Sequence, residues 1–161
     1  MKASKMKKVL IALDYNPTAQ KVAETGYILA KSLAAEIILL HVISDLVYYS
    51  SIDYSPIMGF DGYMDMGPLQ LENVEGLKQA SLGFLKKSKK HLGDDSILTL
   101  VKEGDLPTAI IETAKEYNAD IIVMGSHSRR WLDEILVGSI TEKVLHRTST
   151  PLFIVPTKFK K

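Results

Sequence analysis

The run IILLHVI, residues 37–43, places six aliphatic side chains around a single histidine. Four more runs are apolar in the same way, namely VLIAL at 9–13, ILTLV at 97–101, IIVM at 121–124 and LFIV at 152–155. Apolar runs that are continuous rather than alternating are typical of strands buried on both faces, as in parallel sheets covered by helices. The runs therefore predict five buried parallel strands, with His41 interpreted as a core or interface residue.

The segments between these runs have helical spacing. Apolar residues share one face over 19–33 and again over 106–117, and a less regular, lysine-rich helix is indicated over 77–85. The sequence Ser139-Ile-Thr-Glu142 has the form of a capping box, which predicts a last helix that begins at Ser139. Strands that alternate with helices predict an α/β fold, an open doubly wound parallel sheet with helices on both faces.

Composition narrows the classes of function. The chain has 161 residues, which suits one domain over 1–161, and its formal net charge of +1 supplies no field for general nucleic-acid binding. It has no cysteine, which excludes disulfides and thiolate chemistry. No apolar stretch approaches the roughly 20 residues that span a bilayer, so no membrane partner is expected. No apolar leader with a cleavage site is evident, and we expect a cytoplasmic protein.

One long segment, residues 44–73, fits neither pattern. It lacks periodicity and contains three glycines, two prolines and four tyrosines. Irregular inserts of this length are often lids, partner-binding loops or disordered segments, and the sequence leaves these three alternatives open. Because the insert follows the second predicted strand, it should leave the sheet on the side where ligands bind.

Polar residues and glycines follow several predicted strands. In open α/β sheets ligands bind beyond the carboxyl ends of the strands, where Asp14, Val42 and Gly125 stand here. Gly138-Ser139 then opens the last helix, and free N–H groups at a helix start attract anions. Two glycine-containing turns therefore predict an anion site, although Asp14 and Ser139 would also serve as ordinary helix caps.

At these positions the chain resembles the universal stress protein family, whose nucleotide signature is Gly-x2-Gly-x9-Gly-[Ser/Thr]. This chain has Gly125, then Ser128 in place of the second glycine, then nine residues and Gly138-Ser139. The resemblance covers nearly the whole chain, from the opening VLIALD at 9–14 through LHVI at 40–43 and DIIVMG at 120–125 to the closing PLFIV at 151–155.

The resemblance implies a strand order of 3-2-1-4-5, which makes the first and fourth strands neighbours and sets Asp14 and Gly125 on opposite lips of one crevice. It also implies bound ATP, with Asp14 beside the ribose or a Mg²⁺ ion carried by the nucleotide, the backbone at Val42 against the adenine, and the two glycine turns around the phosphates. The implied binding residues are Ala12, Asp14, Val42, Met124, Gly125, His127, Ser128, Arg129, Gly138, Ser139, Ile140 and Thr141.

Two functions follow from this resemblance. The first is a regulatory module that binds ATP and is read by a protein partner. The second, favoured by Ser128, is a protein-interaction dimer that does not bind nucleotide and uses the insert 44–73 as its contact surface. In both, the strand at 152–155 lies at a sheet edge, and an exposed apolar edge predicts a homodimer formed through it. The sequence shows no nucleophile–base pair and no carboxylate dyad, so enzymatic activity would be limited to slow ATP hydrolysis.

Overall fold

The computed structural model describes residues 5–14, 18–44, 74–126 and 139–157, and it confirms the predicted alternation of strands and helices. The elements, in chain order, are β1 (Lys8–Ala12), α1 (Ala19–Ser32), β2 (Glu36–Ile43), α2 (Val74–Leu92), β3 (Leu98–Glu103), α3 (Leu106–Glu116), β4 (Ile121–Gly125), α4 (Ser139–Arg147) and β5 (Leu152–Val155). The predicted insert begins at Ser44, and residues 45–73 lie outside the described residues.

The five strands form one parallel sheet with the order β3-β2-β1-β4-β5, as the resemblance implied. The central strand β1 pairs with β2 on one side, where Ala12 lies opposite Leu40, and with β4 on the other, where Ile11 lies opposite Val123. The chain first adds strands on the β2 side of β1 and then continues on the β4 side. This reversal leaves a gap between the connections beyond the carboxyl ends of β1 and β4.

Helices cover both faces of the sheet, which explains why β1, β2 and β4 are apolar without alternation and buried through most of their length. The prediction of five buried strands was wrong for the edges of the sheet, because β3 has no buried residue and β5 has one, Val155. In β1, Val9 and Ile11 face α1 and α2, whereas Leu10 faces α3 and α4, and none of the three is exposed to solvent. In the described part of the chain, no helix is long and apolar enough to cross a membrane.

The register between β1 and β4 is held at their amino ends by Asp120. One carboxylate oxygen, Oδ2, accepts hydrogen bonds from the backbone N–H groups of Lys7 at 2.7 Å and Lys8 at 2.9 Å. The backbone N–H of Asp120 donates to the Lys8 carbonyl at 2.9 Å. The bonds from Lys7 and Lys8 hold the pKa of the Asp120 carboxyl below its ordinary value of 3.8.

Replacing Asp120 with asparagine should lower the free energy of unfolding at pH 7 by about 1 kcal/mol, since a charge-assisted bond at a partly exposed site is lost. Because folding lowers the pKa of this group, its stabilisation is present above the unfolded value near 3.8 and is lost as the pH falls through the folded value. Urea unfolding of both proteins between pH 7 and pH 2.5 should therefore show the difference shrinking below about pH 4. A difference that stays constant over this range would contradict the assignment.

Helix α1 approaches the sheet closely at Gly26, which is buried in the helix interior. A Cβ built there would lie 2.7 Å from Cδ1 of Ile11 and 3.2 Å from Cγ1 of Val123. Both side chains are completely buried and have little room to move. The glycine therefore sets the distance between α1 and the centre of the sheet.

The substitution Gly26→Ala should destabilise the protein by about 1 kcal/mol, because the cost of overpacking exceeds the gain in helix propensity. Adding Ile11→Val, which removes Cδ1, should recover most of that loss, although Ile11→Val alone is destabilising. Urea unfolding of the two single variants and the double variant measures this coupling. If Gly26→Ala stabilised the protein, as alanine does in an exposed helix, the close contact would be wrong.

Candidate functional site

A cleft opens beyond the carboxyl ends of β1, β2 and β4, at the point where the strand order reverses. It contains about 630 Å³ of space, part of which is open to solvent. The described residues that line it are Ala12, Leu13, Asp14, Thr18, Ala19, Val22, Leu40, Val42, Leu106, Ile110, Met124, Gly125, Ile140 and Thr141.

Most of this lining is apolar. Leu40 and Val42 from β2 and Met124 from β4 contribute buried side chains on the sheet face that α3 and α4 cover. The polar side chains are those of Asp14, Thr18 and Thr141, and Asp14 supplies the one charge among the described lining residues. A flat apolar group fits this wall, with a polar group beside Asp14.

The end of β1 is tied to β2 just before Asp14. The N–H of Leu13 donates to the Leu40 carbonyl at 2.8 Å, and Nδ1 of the buried His41 lies 2.8 Å from the Leu13 carbonyl. These bonds extend β1 by one residue beyond its last ladder pair, Ala12 and Leu40. Asp14, which is half-buried, follows directly at the lip of the cleft.

The end of β4 is crowded around Gly125. A Cβ at this position would lie 3.0 Å from Cγ2 of Thr157 and 3.1 Å from Cγ2 of Val22. The Gly125 carbonyl accepts a hydrogen bond of 3.1 Å from the hydroxyl of Thr141, which attaches the first turn of α4 to β4. Packing alone therefore favours glycine at 125, whether or not a phosphate approaches it.

Ser126, the next residue, is held by the segment that leaves β5. Its N–H donates to the Val155 carbonyl at 3.0 Å, and its Oγ accepts a bond of 3.0 Å from the N–H of Thr157. The start of the loop after β4 is thus bonded to the end of the neighbouring edge strand β5 and to the segment that follows it.

Helix α3 supplies a wall that sequence reasoning did not identify. Leu106 and Ile110 reach the cleft from its first two turns. The helix starts where it does because Asp105 caps it, accepting a bond from the N–H of Thr108 at 3.2 Å. The hydroxyl and N–H of Thr108 hold the pKa of the Asp105 carboxyl below its ordinary value. The sequence Gly104-Asp105-Leu106-Pro107 marks the start of this helix, but it does not show that the helix lines the cleft.

The structure brings seven of the twelve predicted binding residues into this one cleft: Ala12, Asp14, Val42, Met124, Gly125, Ile140 and Thr141. Ser139 begins α4 as predicted. His127, Ser128, Arg129 and Gly138 lie outside the described residues. As ligand-binding residues all twelve remain predictions.

The metal role of Asp14 is also still a prediction. Among the described residues, no group of three or more histidine and carboxylate side chains is arranged to hold a metal ion.

Comparison with known proteins gives one consistent answer. The model of the universal stress protein family matches residues 5–156. Universal stress protein MJ0577 of Methanocaldococcus jannaschii is 30% identical over 156 residues, which cover 94% of this chain and 96% of that protein. Universal stress protein YxiE of Bacillus subtilis is 27% identical over 150 residues, covering 92% and 97% of the two chains.

Solved structures agree with this match. The structure of MJ0577 superposes with a TM-score of 0.73 at 27% identity and covers 98% of this chain and all of that chain. A universal stress protein solved in complex with cAMP has the same fold, with a TM-score of 0.63 at 17% identity, and covers 96% of this chain and all of that one.

Proposed function

This chain belongs to the universal stress protein family, and on that premise we propose that it is a regulatory module that binds ATP in the cleft between β1 and β4. The observation that carries the proposal is the cleft itself. It lies at the reversal of strand order, has an apolar wall beside one carboxylate, and is closed on one side by the start of α4.

Each part of the nucleotide has a matching surface. The wall formed by Leu40, Val42 and Met124 suits the flat apolar adenine ring. The Asp14 carboxylate suits a ribose hydroxyl or a Mg²⁺ ion that accompanies the phosphates. The universal stress protein that binds cAMP supports this assignment, because it has the same fold and holds an adenine nucleotide.

The phosphates would lie at the start of α4. The first N–H groups of a helix have no partner within the helix and favour an anion. Since the hydroxyl of Thr141 donates to the Gly125 carbonyl, we assign its backbone N–H rather than its hydroxyl to the phosphate. Gly138, Ser139 and Ile140 would complete this side, and Gly125, His127, Ser128 and Arg129 the opposite turn.

Binding should be visible as thermal stabilisation. With Mg·ATP at about a hundred times its Kd, the melting temperature should rise by roughly 5–10 °C, because ligand that binds the folded state alone stabilises it. Asp14→Asn should weaken Mg·ATP binding about tenfold, corresponding to loss of one charged contact. Asp95→Asn removes the same charge from the exposed turn at the opposite, amino end of the sheet and should leave the affinity unchanged.

Titrations with and without EDTA separate the two roles of Asp14. If the carboxylate holds Mg²⁺, the Asp14→Asn variant should no longer bind Mg·ATP more tightly than free ATP. If the carboxylate contacts the ribose, the substitution should weaken the binding of both forms equally. No stabilisation of the wild type at saturating Mg·ATP would refute nucleotide binding and favour the protein-interaction dimer that Ser128 suggests. ATP consumption equal to a buffer blank would exclude enzymatic hydrolysis.

We further propose that the protein forms a homodimer through β5. Within the described chain β5 pairs with β4 alone, and its four residues are all apolar. The opposite edge strand, β3, ends in charged residues that are engaged in ion pairs: Lys102 with Glu116 at 3.0 Å, and Glu103 with Lys78 at 2.8 Å. Charged edge residues discourage pairing between sheets, so β5 is the edge suited to a second copy.

Two matched substitutions test this interface. Phe153 on β5 is 39% exposed and Leu98 on β3 is 43% exposed. Phe153→Lys should convert the dimer to a monomer, because an unpaired charge would be buried at the interface. Leu98→Lys should remain dimeric. Light scattering coupled to size exclusion measures both, and a dimeric Phe153→Lys variant or a monomeric wild type would rule out this interface.

A further inference from the structure

The buried histidine of β2 makes a hydrogen bond that the packing of the core does not require. His41 has no solvent exposure, and its Nδ1 lies 2.8 Å from the carbonyl oxygen of Leu13. Its neighbours Leu40 and Val42 line the cleft, whereas the histidine ring lies on the other face of the sheet, edge-on to Phe84 of α2 at 5.9 Å between ring centres. His41 is thus directly behind the cleft and not part of its lining.

The chemistry of this contact defines the state of the ring. A carbonyl oxygen only accepts hydrogen bonds, so Nδ1 of His41 must carry a proton. An aliphatic residue would fill the same space among aliphatic neighbours without the cost of burying an imidazole. What histidine adds at this position is an N–H donor directed at one backbone carbonyl.

That carbonyl lies where the pairing of β1 with β2 ends. The last ladder pair is Ala12 with Leu40, and the N–H of Leu13 still donates to the Leu40 carbonyl at 2.8 Å. In a parallel ladder the next bond would join the Leu13 carbonyl to the N–H of Val42. Here a side chain donates to that carbonyl instead, so both peptide groups that flank Leu13 are attached to β2 and the chain is directed into Asp14.

We propose that His41 is a positioning residue for the nucleotide site, whose Nδ1–H holds the Leu13 peptide and thereby sets Asp14 at the lip of the cleft. The inference rests on the proposed function, since it concerns the affinity of the same cleft. The nucleotide affinity of the cleft would then depend on an N–H donor on the opposite face of the sheet, supplied by a side chain that does not touch the ligand.

Three variants separate the donor from packing. His41→Leu fills the core without a donor. His41→Asn places an amide N–H near the position of Nδ1. Phe84→Leu disturbs the packing against the ring but retains the histidine. We expect His41→Leu to weaken Mg·ATP binding about tenfold, as for loss of one buried hydrogen bond, and His41→Asn to stay within about threefold of the wild type.

Phe84→Leu is the matched control. It should lower the melting temperature because aromatic core volume is lost, yet leave the Mg·ATP affinity within about twofold of the wild type. Equal loss of affinity in all three variants would show that His41 acts through packing alone and would overturn the proposal. Wild-type affinity in His41→Leu would overturn it as well.

A measurement on the ligand-free protein keeps the inference apart from the proposed function. Long-range ¹⁵N–¹H spectra should show a proton on Nδ1 of His41. The Leu13 amide should exchange at a similar rate in the wild type and His41→Asn and faster in His41→Leu, because the Leu13 peptide is then attached to β2 by its N–H alone. A ring protonated on Nε2 alone, or unchanged protection in His41→Leu, would refute the positioning role. Failure of the wild type to bind Mg·ATP, with these signatures present, would refute the proposed function alone and leave His41 as the residue that positions Asp14.

Discussion

The two-sided pairing of β1 is the constraint on which the rest of the structure depends. Because β1 pairs in parallel with both β2 and β4, the carboxyl ends of three strands meet at one edge, and the connections that leave them diverge. The cleft is the space between those connections. Its apolar wall consists of Leu40, Val42 and Met124, which also belong to the buried core that α3 and α4 cover.

The strand ends around the cleft are held by hydrogen bonds between different elements of the fold. Leu13 is attached to β2, Thr141 to the end of β4, and Ser126 to the segment after β5. Each of these contacts joins positions far apart in the sequence, so the cleft is assembled only when the sheet is complete. A ligand that binds there would stabilise the folded state as a whole, and its affinity would depend on all these strand ends being ordered.

Much of the fold could be predicted from local pattern. The apolar runs marked all five strands, although only β1, β2 and β4 are buried through most of their length, and the capping box marked the first residue of α4. The third strand runs two residues past its predicted run, to Glu103, because Lys102 and Glu103 continue the ladder opposite Val42 and Ile43. Their charges are accommodated at an edge, where the side chains reach Glu116 and Lys78. A polarity pattern cannot show that a strand lies at an edge.

The sequence by itself determined the class of fold and the strand ends that carry Asp14 and Gly125, because burial on two faces and turn chemistry leave local traces in residue type. The strand order came from family resemblance rather than from those traces. Only the tertiary structure showed that Leu106 and Ile110 close the cleft, that Gly125 is crowded by Val22 and Thr157, and that His41 is bonded to Leu13. These features depend on contacts between residues that are far apart in the sequence, by more than a hundred positions for Val22 and Gly125. The spacing of residues along the chain carries no information about such contacts.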